Sequence, residues 1–440
     1  MSMTTTLERF TQWVRGNPQK HYTALMGMLS DPIELWNCYE AQPGNRACGI
    51  DGVRKAEYGE NLLVNVEALS AKLRSLSYRP KPSRRVYIPK SNGKLRPLGI
   101  PSFEDRLVQM QMSKILQAVW EPEFRKCSYG FRPHHNAHQA LAKLGEIITN
   151  ENTQWVVEAD IKGFFDNVNH DWLMKFVGYR IKDPVFLRLV NRFLKAGIME
   201  AGVHRHADSG TPQGGLVSPV LANIYLHYVL DVWFEKKFAK SCMGRAGLVR
   251  YADDYVACFS REEEAKRFMT EMQERLAQFG LEVEPSKTAL IRFGSQAAKV
   301  RGEDETKRPR TFNFLGFTHF VSKSRRGRFK VGRATQRERI TKKLKEVSQK
   351  LANLRSKGGK AMMDYAKQHL QGHLAYYAVS GNARQIGNYA RQIENRLFKW
   401  LNRRSQKRSC TWKKFRTVLK VWRPSLRIQH DLYPKPLWMT

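Results

Sequence analysis

Three aspartates stand where short apolar segments end, and their carboxylates are chemical groups suited to binding a hard metal ion. Residues 155–159 form an apolar, β-prone run that leads directly into Asp160. Two further β-prone runs flank Asp253 and Asp254, which predicts a hairpin over residues 248–259 with the acids at its tip. If the strand before Asp160 lies beside this hairpin, the three carboxylates converge.

Clustered carboxylates repel one another, and this unfavourable electrostatic energy indicates that a cation binds among them. Neighbouring carboxylates repel and raise each other's pKa unless a cation neutralises them. Mg²⁺ prefers oxygen ligands and usually takes one or two carboxylates together with substrate phosphates. Two ions about 3.5–4 Å apart would activate an attacking hydroxyl and stabilise a departing phosphate group. We therefore expect two Mg²⁺ ions at Asp160, Asp253 and Asp254, with Mn²⁺ as a substitute.

Each motif taken alone has a simpler interpretation. An aspartate at a strand end is often a helix cap or a turn former, and an Asp-Asp pair in a hairpin is often only solvated. The metal-site interpretation is favoured because both motifs occur in one chain, in this order, with a large positive charge.

The charge balance indicates a polyanionic partner. The 440 residues include 76 Lys+Arg and 40 Asp+Glu, a formal net charge of +36, and residues 323–440 alone carry 31 basic and 5 acidic residues. Such a balance suits nucleic acid or an anionic membrane. No apolar run reaches the length of about 18 residues that a membrane span needs, and the first ten residues lack the apolar run of a signal peptide. Nucleic acid is therefore the expected partner, in a bacterial cytoplasm and without a membrane.

The six cysteines are scattered without a C-x-x-C pair, which favours reduced cytosolic thiols over disulfides or a zinc site.

Hydrophobic periodicity predicts mixed helix and strand in the body and helices from residue 336 onward. The polar residues 295–310 predict a loop insertion. The predicted helices span residues 103–120, 187–196, 218–234, 261–279, 365–379 and 383–404, and a further strand is expected at 312–317.

Several blocks of the chain, in order, resemble bacterial group II intron-encoded reverse transcriptases, the maturase class. Tyr251-Ala252-Asp253-Asp254 is similar to the polymerase hallmark of reverse transcriptases, and the similarity runs from about residue 49 to 317, more loosely to 404. The resemblance implies an α+β right-hand polymerase: an N-terminal extension at 1–80, fingers and palm with antiparallel sheet at 81–322, and a basic α-helical thumb/maturase domain at 323–440. The matching blocks are residues 49–53, 84–101, 128–133, 210–219, 285–288 and 314–317.

The same resemblance assigns roles around the three acids. Lys90 and Arg96 would grip the triphosphate, Gln213 would contact the nucleotide or template, and Lys287 would give a proton to pyrophosphate or be purely structural. Phe165 would lie under the sugar and exclude a 2′-hydroxyl; since neighbouring strand residues point to opposite faces, Phe164 can be core while Phe165 faces the site. The residues implied at the template and primer are Arg132, Gly214, Gly215, Leu315 and Gly316.

The implied activity is RNA-directed DNA synthesis coupled to binding of intron RNA, which would assist splicing and mobility. The implied partners are template and structured intron RNA, primer and target DNA, and dNTPs; the oligomeric state is open between monomer and dimer. No segment resembles the endonuclease that many members carry. Two alternatives stay open: a domesticated group II-like enzyme in DNA repair or phage defence, and an RNA-binding maturase that makes little use of its polymerase.

Overall fold

The computed structural model describes residues 6–17, 20–89, 95–200, 203–205, 209–210, 214–303, 309–324, 326–403 and 410–434. Lys90 and Gln213 lie outside the described residues. The described strands are β1 (Ser83–Pro89), β2 (Leu95–Ile100), β3 (Trp155–Asp160), β4 (Ile198–Glu200), β5 (Val203–Arg205), β6 (Ala246–Tyr251), β7 (Asp254–Phe259), β8 (Ala289–Arg292), β9 (Phe312–Phe314), β10 (Phe317–Lys323) and β11 (Phe329–Thr335).

Helices make up most of the remaining described structure. Many begin as their sequences predict: the Asp183 side chain caps the N-terminus of α10, and Pro184 occupies the first turn. The described α-helices are α1 (Thr6–Gly16), α2 (Met26–Leu29), α3 (Pro32–Glu40), α4 (Lys55–Gly59), α5 (Leu62–Arg74), α6 (Phe103–Trp120), α7 (Ala137–Asn150), α8 (Phe164–Asn167), α9 (His170–Gly178), α10 (Pro184–Lys195), α11 (Ser218–Leu226), α12 (Glu262–Gln278), α13 (Ser295–Glu303), α14 (Arg337–Asn353), α15 (Gly358–Tyr377), α16 (Ala383–Leu401) and α17 (Trp412–Trp422).

The central sheet is antiparallel and has the strand order β6-β7-β3-β8. The strand expected at residues 155–159 and the hairpin expected at 248–259 are both confirmed, with β3 paired directly to β7. β-Branched and aromatic residues of these strands are buried, with helices packed against both faces of the sheet. This pairing places the acidic end of β3, Asp160, next to the acidic end of β7, Asp254.

A second sheet has the order β2-β1-β4-β5, in which β1 pairs antiparallel to β2 and parallel to β4. Arg96 lies on β2 opposite Ile88 of β1. The N-terminal helices pack against α6, and one hydrophobic core extends from Val14 through α6 to Leu281. The expected N-terminal extension therefore shares its core with the body that follows it.

The third sheet, β11-β10-β9, lies where the sequence changes from mixed structure to helices. β10 and β11 form a hairpin across residue 323, and the helical region begins at Arg337, close to residue 336 as the periodicity predicts. Alternate residues of β10, Phe317, His319 and Val321, are buried, which is the period of a half-buried sheet rather than of a helix. Helices α14 to α17 then enclose a core of their own.

Three local predictions differ from the structure. The segment 295–310 was expected to be a loop, but its first nine residues form α13, because Ala297 and Ala298 are buried against the neighbouring core. The strand expected at 312–317 is two strands, β9 and the start of β10, joined by a tight turn. The helix expected at 218–234 is helical throughout, but it is α-helical only at its start, Ser218–Leu226, and at residues 232–233, with π-helical segments at His227–Asp231 and Phe234–Phe238.

The predicted helix 103–120 is confirmed as α6, and the predicted helix at 261–279 is confirmed as α12.

Phe164 and Phe165 lie in the short helix α8 instead of a strand. Their exposure still differs as expected, because Phe164 is buried and Phe165 is partly exposed. No helix in the described part of the chain is long and apolar enough to cross a membrane.

Candidate active site

Strand pairing brings two of the predicted acids directly opposite each other. Asp160, the last residue of β3, is the register partner of Asp254, the first residue of β7. Tyr251 and Asp254 close the hairpin, so its loop consists of Ala252 and Asp253 alone. Ala252 has φ of 59°, a left-handed conformation that costs a residue with a Cβ about 1–2 kcal/mol. Contacts with neighbouring residues must therefore stabilise the left-handed conformation of this turn.

The three acids lie close enough to perturb one another. Burial raises the pKa of Asp253, and the Asp160 carboxylate raises it further. Burial, followed by the charges of Asp160 and Asp253, raises the pKa of Asp254 to about 7. Burial is the largest cause of both shifts and repulsion between the carboxylates adds to it, and a bound divalent cation would offset both effects.

Glu158 is a fourth acid that the sequence reasoning missed. It lies two residues before Asp160 on β3, hence on the same face, and it is partly exposed. Burial raises its pKa to about 7; a backbone hydrogen bond from Asn313 opposes this, and Asp160 adds to it. The alternation of Glu158 and Asp160 along one strand was the signal that could have identified it.

Two of the predicted cations face this negative charge. The Lys287 ammonium donates a hydrogen bond to Asp160 Oδ2, which raises the pKa of the lysine. Lys287 ends the 3₁₀ turn Pro285–Lys287, and the Glu284 N–H fixes this turn by donating to the Asp160 carbonyl oxygen at 2.8 Å. Arg96, on β2, lowers the pKa of Asp253 through its charge.

The donor set is suited to a hard divalent cation. In the ranges that the structure describes, no group of three or more His, Cys, Asp or Glu side chains is arranged so that it could hold a metal ion. Mg²⁺ does not need one, because it commonly uses one or two carboxylates and fills its other positions with water and substrate phosphates. The partly exposed carboxylates of Asp160, Asp253 and Asp254 offer only oxygen ligands and carry mutually repelling charge.

A buried arginine holds the turn that carries Asp253. The Arg250 side chain has no exposed surface, and it forms an ion pair with the equally buried Asp231. Its Nη1 donates to the Ala252 carbonyl oxygen at 2.9 Å and to Asn223 Oδ1 at 3.0 Å, and its Nη2 donates to Ser128 Oγ at 2.8 Å. The sequence reasoning missed this network because its members are far apart in the chain.

The segment around residue 130 packs directly on the same turn. The Tyr129 N–H donates to the Arg250 carbonyl oxygen at 2.9 Å. A Cβ on Gly130 would lie 2.4 Å from the Ala252 nitrogen, so only glycine permits this approach. Arg132, predicted to contact the template, is engaged within the protein: its Nη2 lies 2.7 Å from Glu121 Oε1, and its side chain is 6% exposed. This arrangement favours a positioning role, and template contact stays a prediction.

The glycines predicted near the template and nucleotide lie beside the second sheet. Gly214 has φ of 116°, and a Cβ there would lie 2.4 Å from the Gly99 carbonyl oxygen of β2, the strand that carries Arg96. Gly215 is buried next to it. Gly210 approaches the Phe165 carbonyl oxygen, where a Cβ would be 2.8 Å away, so this segment and α8 are in contact.

Leu315 and Gly316 form the two-residue turn between β9 and β10. Their φ angles of 48° and 83° are both positive, as in a type I′ hairpin turn. A backbone hydrogen bond from Leu315 to Asp254 lowers the pKa of that carboxyl group, opposing the larger effect of burial. The carbonyl oxygen of the same residue, Leu315, accepts a hydrogen bond from Tyr376 Oη of α15 at 2.9 Å. This turn therefore joins the acids to the C-terminal helices.

Comparison with known proteins gives one family match and several relatives. Residues 88–319 match the family described as reverse transcriptase (RNA-dependent DNA polymerase). Over 225 residues the chain is 39% identical to Protein YkfC of Escherichia coli K12, covering 50% of this chain and 59% of YkfC. It is 37% identical over 222 residues to the group II intron-encoded protein LtrA of Lactococcus lactis subsp. cremoris, covering 50% of this chain and 37% of LtrA.

A more distant relative is the mitochondrial Nuclear intron maturase 1 of Arabidopsis thaliana, which is 25% identical over 219 residues. That match covers 44% of this chain and 30% of the plant protein. The matched region spans less than two thirds of each of these relatives.

Proposed function

The chain belongs to the reverse transcriptase family, and from this premise we propose that it adds deoxynucleotides to a primer 3′-hydroxyl on an RNA template. The observation that carries the proposal is the pairing of Asp160 with Asp254 across β3 and β7, with Asp253 in the adjoining turn. These carboxylates would hold Mg²⁺, for which Mn²⁺ could substitute. When bound, the ions would lower the pKa of the attacking hydroxyl and stabilise the pyrophosphate leaving group.

The protein's own groups would orient the substrates around these acids. Arg96 and Lys90 would bind the triphosphate and offset the charge that develops on the leaving group. Lys287, which donates a hydrogen bond to Asp160, would act on the same phosphates. Phe165 would support the sugar, and Gln213 would contact the nucleotide or template. Gly214, Gly215, Leu315, Gly316 and Arg132 would shape the template and primer path.

We assign these parts to a right-hand polymerase. Residues 1–80 would be the N-terminal extension, 81–322 the fingers and palm, and 323–440 a basic thumb and maturase region. The hydrogen bonds that join Asp254, Leu315 and Tyr376 support close coupling of the last region to the acids.

We further propose that the protein binds a structured group II intron RNA and assists its splicing and mobility. Two relatives carry names that refer to introns or maturases, and residues 323–440 carry a net charge of +26. A role in repair or defence is less favoured, because the names of these two relatives refer to introns. We expect the protein to act in the bacterial cytoplasm, where RNA and dNTPs occur together.

Primer extension on an RNA template with Mg²⁺ tests the polymerase proposal. The variant Asp253→Asn removes one carboxylate with little change in shape, and we expect extension to fall by at least about a thousandfold, since such charge stabilisation contributes several kcal/mol. Asp171→Asn, an exposed acid in the first turn of α9, is the matched control. Unchanged extension by Asp253→Asn would contradict the proposal.

The same variant separates the two proposed activities. If Asp253→Asn loses extension but still promotes splicing of the bound intron RNA, the RNA-folding role does not depend on polymerisation. Loss of neither activity would overturn the polymerase proposal, and no splicing by wild-type protein would overturn the maturase proposal.

The proposed sugar contact of Phe165 has its own test. Phe165→Ala should relax discrimination between dNTPs and rNTPs, whereas Phe165→Tyr, which keeps the ring, should preserve it. The measurement is the ratio of kcat/KM for a matched dNTP and rNTP. Equal ratios for wild type and Phe165→Ala would show that another side chain contacts the sugar.

A further inference from the structure

A cavity of about 510 Å³ lies between α14 and α15, with Thr335 of β11 at one edge. Its α14 wall includes Arg339, Lys342 and Lys343, and its α15 wall includes three ring-bearing residues, His369, His373 and Tyr377. Volumes of about 300–1,000 Å³ are typical of sites for small organic ligands. The cavity thus has a cationic wall facing an aromatic one.

The cationic wall keeps an excess of positive charge. Glu346 also lines the cavity, but it lies 2.8 Å from the Lys343 ammonium in an ion pair. Arg339 donates a hydrogen bond from Nε to Gln336 Oε1 at 3.1 Å, an uncharged partner that leaves the charge of its guanidinium uncompensated by that contact. Three cationic side chains against one carboxylate favour an anionic group such as a phosphate.

The aromatic wall is rigid and uncharged. The His373 ring stacks on Tyr389 with centroids 3.8 Å apart and on Tyr377 at 4.6 Å. Burial, with a further contribution from His369, lowers the pKa of His373 to about 3, so its imidazole is neutral near pH 7. His373 Nε2 is buried and has no hydrogen-bond partner among the described residues. Because Tyr377 and Tyr389 cover the two faces of the His373 ring, a base in the cavity would lie against the edge of this ring, beside Tyr377.

The cavity lies next to the turn that reaches the catalytic acids. A Cβ on Gly316 would be 3.1 Å from Tyr377 Oη and 3.2 Å from Arg339 Nη1, so the turn contacts both walls. The preceding residue, Leu315, donates its backbone hydrogen bond to Asp254. A single turn therefore connects the cavity walls to the acidic site.

We propose that this cavity binds one unpaired nucleotide of a bound nucleic-acid strand, with the phosphate against Arg339 and Lys342 and the base against Tyr377 and His373. The inference rests on the proposed nucleic-acid function and adds a specific subsite to it. Basic residues alone would bind any phosphate backbone. The aromatic wall adds a preference for an unstacked base, because paired bases are stacked within the duplex and cannot reach it.

The test compares two RNA hairpins of the same sequence, one fully paired and one with a single bulged nucleotide. Binding to the full chain is measured by fluorescence anisotropy without dNTPs. We expect wild-type protein to bind the bulged hairpin about tenfold more tightly, which corresponds to about 1.4 kcal/mol from the added contacts of one nucleotide. Lys342→Gln and His373→Ala should abolish this preference.

Lys345→Gln is the matched control, because Lys345 is exposed on α14 but does not line the cavity. It should weaken binding of both hairpins equally and keep the preference for the bulge. Equal binding of the two hairpins by wild-type protein would overturn the inference, as would loss of the preference in Lys345→Gln.

Three competitors define what the cavity accepts. If the cavity does not contact the 2′-hydroxyl, a DNA hairpin with the same bulge should show the same preference. A preference found only for RNA would also support a nucleotide site, one that contacts the 2′-hydroxyl. Adenosine 5′-monophosphate should compete with the bulged hairpin at a lower concentration than inorganic phosphate. Equal competition by phosphate would reduce the cavity to an anion site and overturn the inference.

The outcome can be separated from that of the polymerase proposal. The bulge preference requires no catalysis, so it should persist in Asp253→Asn. Loss of extension with a retained bulge preference would support both proposals, whereas normal extension without any bulge preference would overturn only this one.

Discussion

The Arg250 guanidinium lies against the Asp231 carboxylate, with Nε 2.7 Å from Oδ1 and Nη2 2.5 Å from Oδ2, and neither side chain is exposed. The same guanidinium holds the Ala252 carbonyl oxygen, one residue before Asp253. Because removing one partner leaves an uncompensated buried charge, the pair makes the position of the acidic turn depend on a residue nineteen positions away in the chain.

Breaking this pair should destabilise the protein and misplace the turn. We expect Asp231→Asn to lower the free energy of unfolding by about 3–5 kcal/mol, the usual cost of leaving a buried charge unpaired. Urea titration monitored by fluorescence measures this. Glu146→Gln, which disrupts the exposed pair with Lys143, is the control and should cost less than about 1 kcal/mol. Equal effects would show that Arg250 is compensated by other groups.

His227, the first residue of the π-helical segment that ends at Asp231, should make the free energy of unfolding depend on pH in the acidic range. Burial lowers its pKa to about 4; the Asp231 charge opposes this, while Arg250, Arg125 and Arg132 add to it. Because the unfolded chain binds the proton at a higher pH, this contribution is complete above about pH 6.5 and is lost as the pH falls through 4. The loss amounts to about 3 kcal/mol for this nearly fully buried group.

The measurement is the free energy of unfolding at several pH values between 6.5 and 4.5. His227→Gln should flatten this dependence, even if it lowers stability at neutral pH through imperfect packing. The exposed His21 provides the control, since His21→Gln should leave the slope unchanged. An unchanged slope in His227→Gln would assign the acid sensitivity to other groups.

Lys287 has two candidate roles that one pair of substitutions distinguishes. As a proton donor to pyrophosphate, it should be replaceable by neither methionine nor arginine, because arginine does not release a proton in this range. As a structural partner of Asp160, it should be replaceable by arginine. We expect Lys287→Met and Lys287→Arg both to lower kcat, by about a hundredfold or more.

Pre-steady-state nucleotide incorporation measures this effect without interference from product release. Lys162→Met is the control, because Lys162 pairs with Glu282 at an exposed position, 3.0 Å from Oε2. Full activity in Lys287→Arg would assign Lys287 a structural role.

Gly214 should be intolerant of any side chain. An alanine there would combine φ of 116° with a contact of 2.4 Å to the Gly99 carbonyl oxygen. Strain of about 1–3 kcal/mol would displace this segment from β2, so we expect Gly214→Ala to raise the KM for dNTPs by about tenfold. Gly178→Ala, where no atom lies within 4 Å of the new Cβ, should leave KM unchanged. An unchanged KM in Gly214→Ala would separate this segment from nucleotide binding.

Much of this molecule could be predicted from local patterns. The strand before Asp160 and the hairpin around Asp253 follow from β-prone runs, and α6 and α12 follow from helical periodicity. Local patterns failed at α13, where a polar composition concealed two buried alanines, and at the Leu315-Gly316 turn inside an apolar run.

The sequence by itself determined the candidate acids, the positive charge and the short segments that carry them, because each depends on residues close together in the chain. Only the tertiary structure decided which side chains meet. It placed Asp254 opposite Asp160, directed Arg132 to Glu121, and put Arg250 on Asp231 under the turn. Such contacts join residues from distant segments, and burial makes them strong by removing the water that would otherwise compete for each charge.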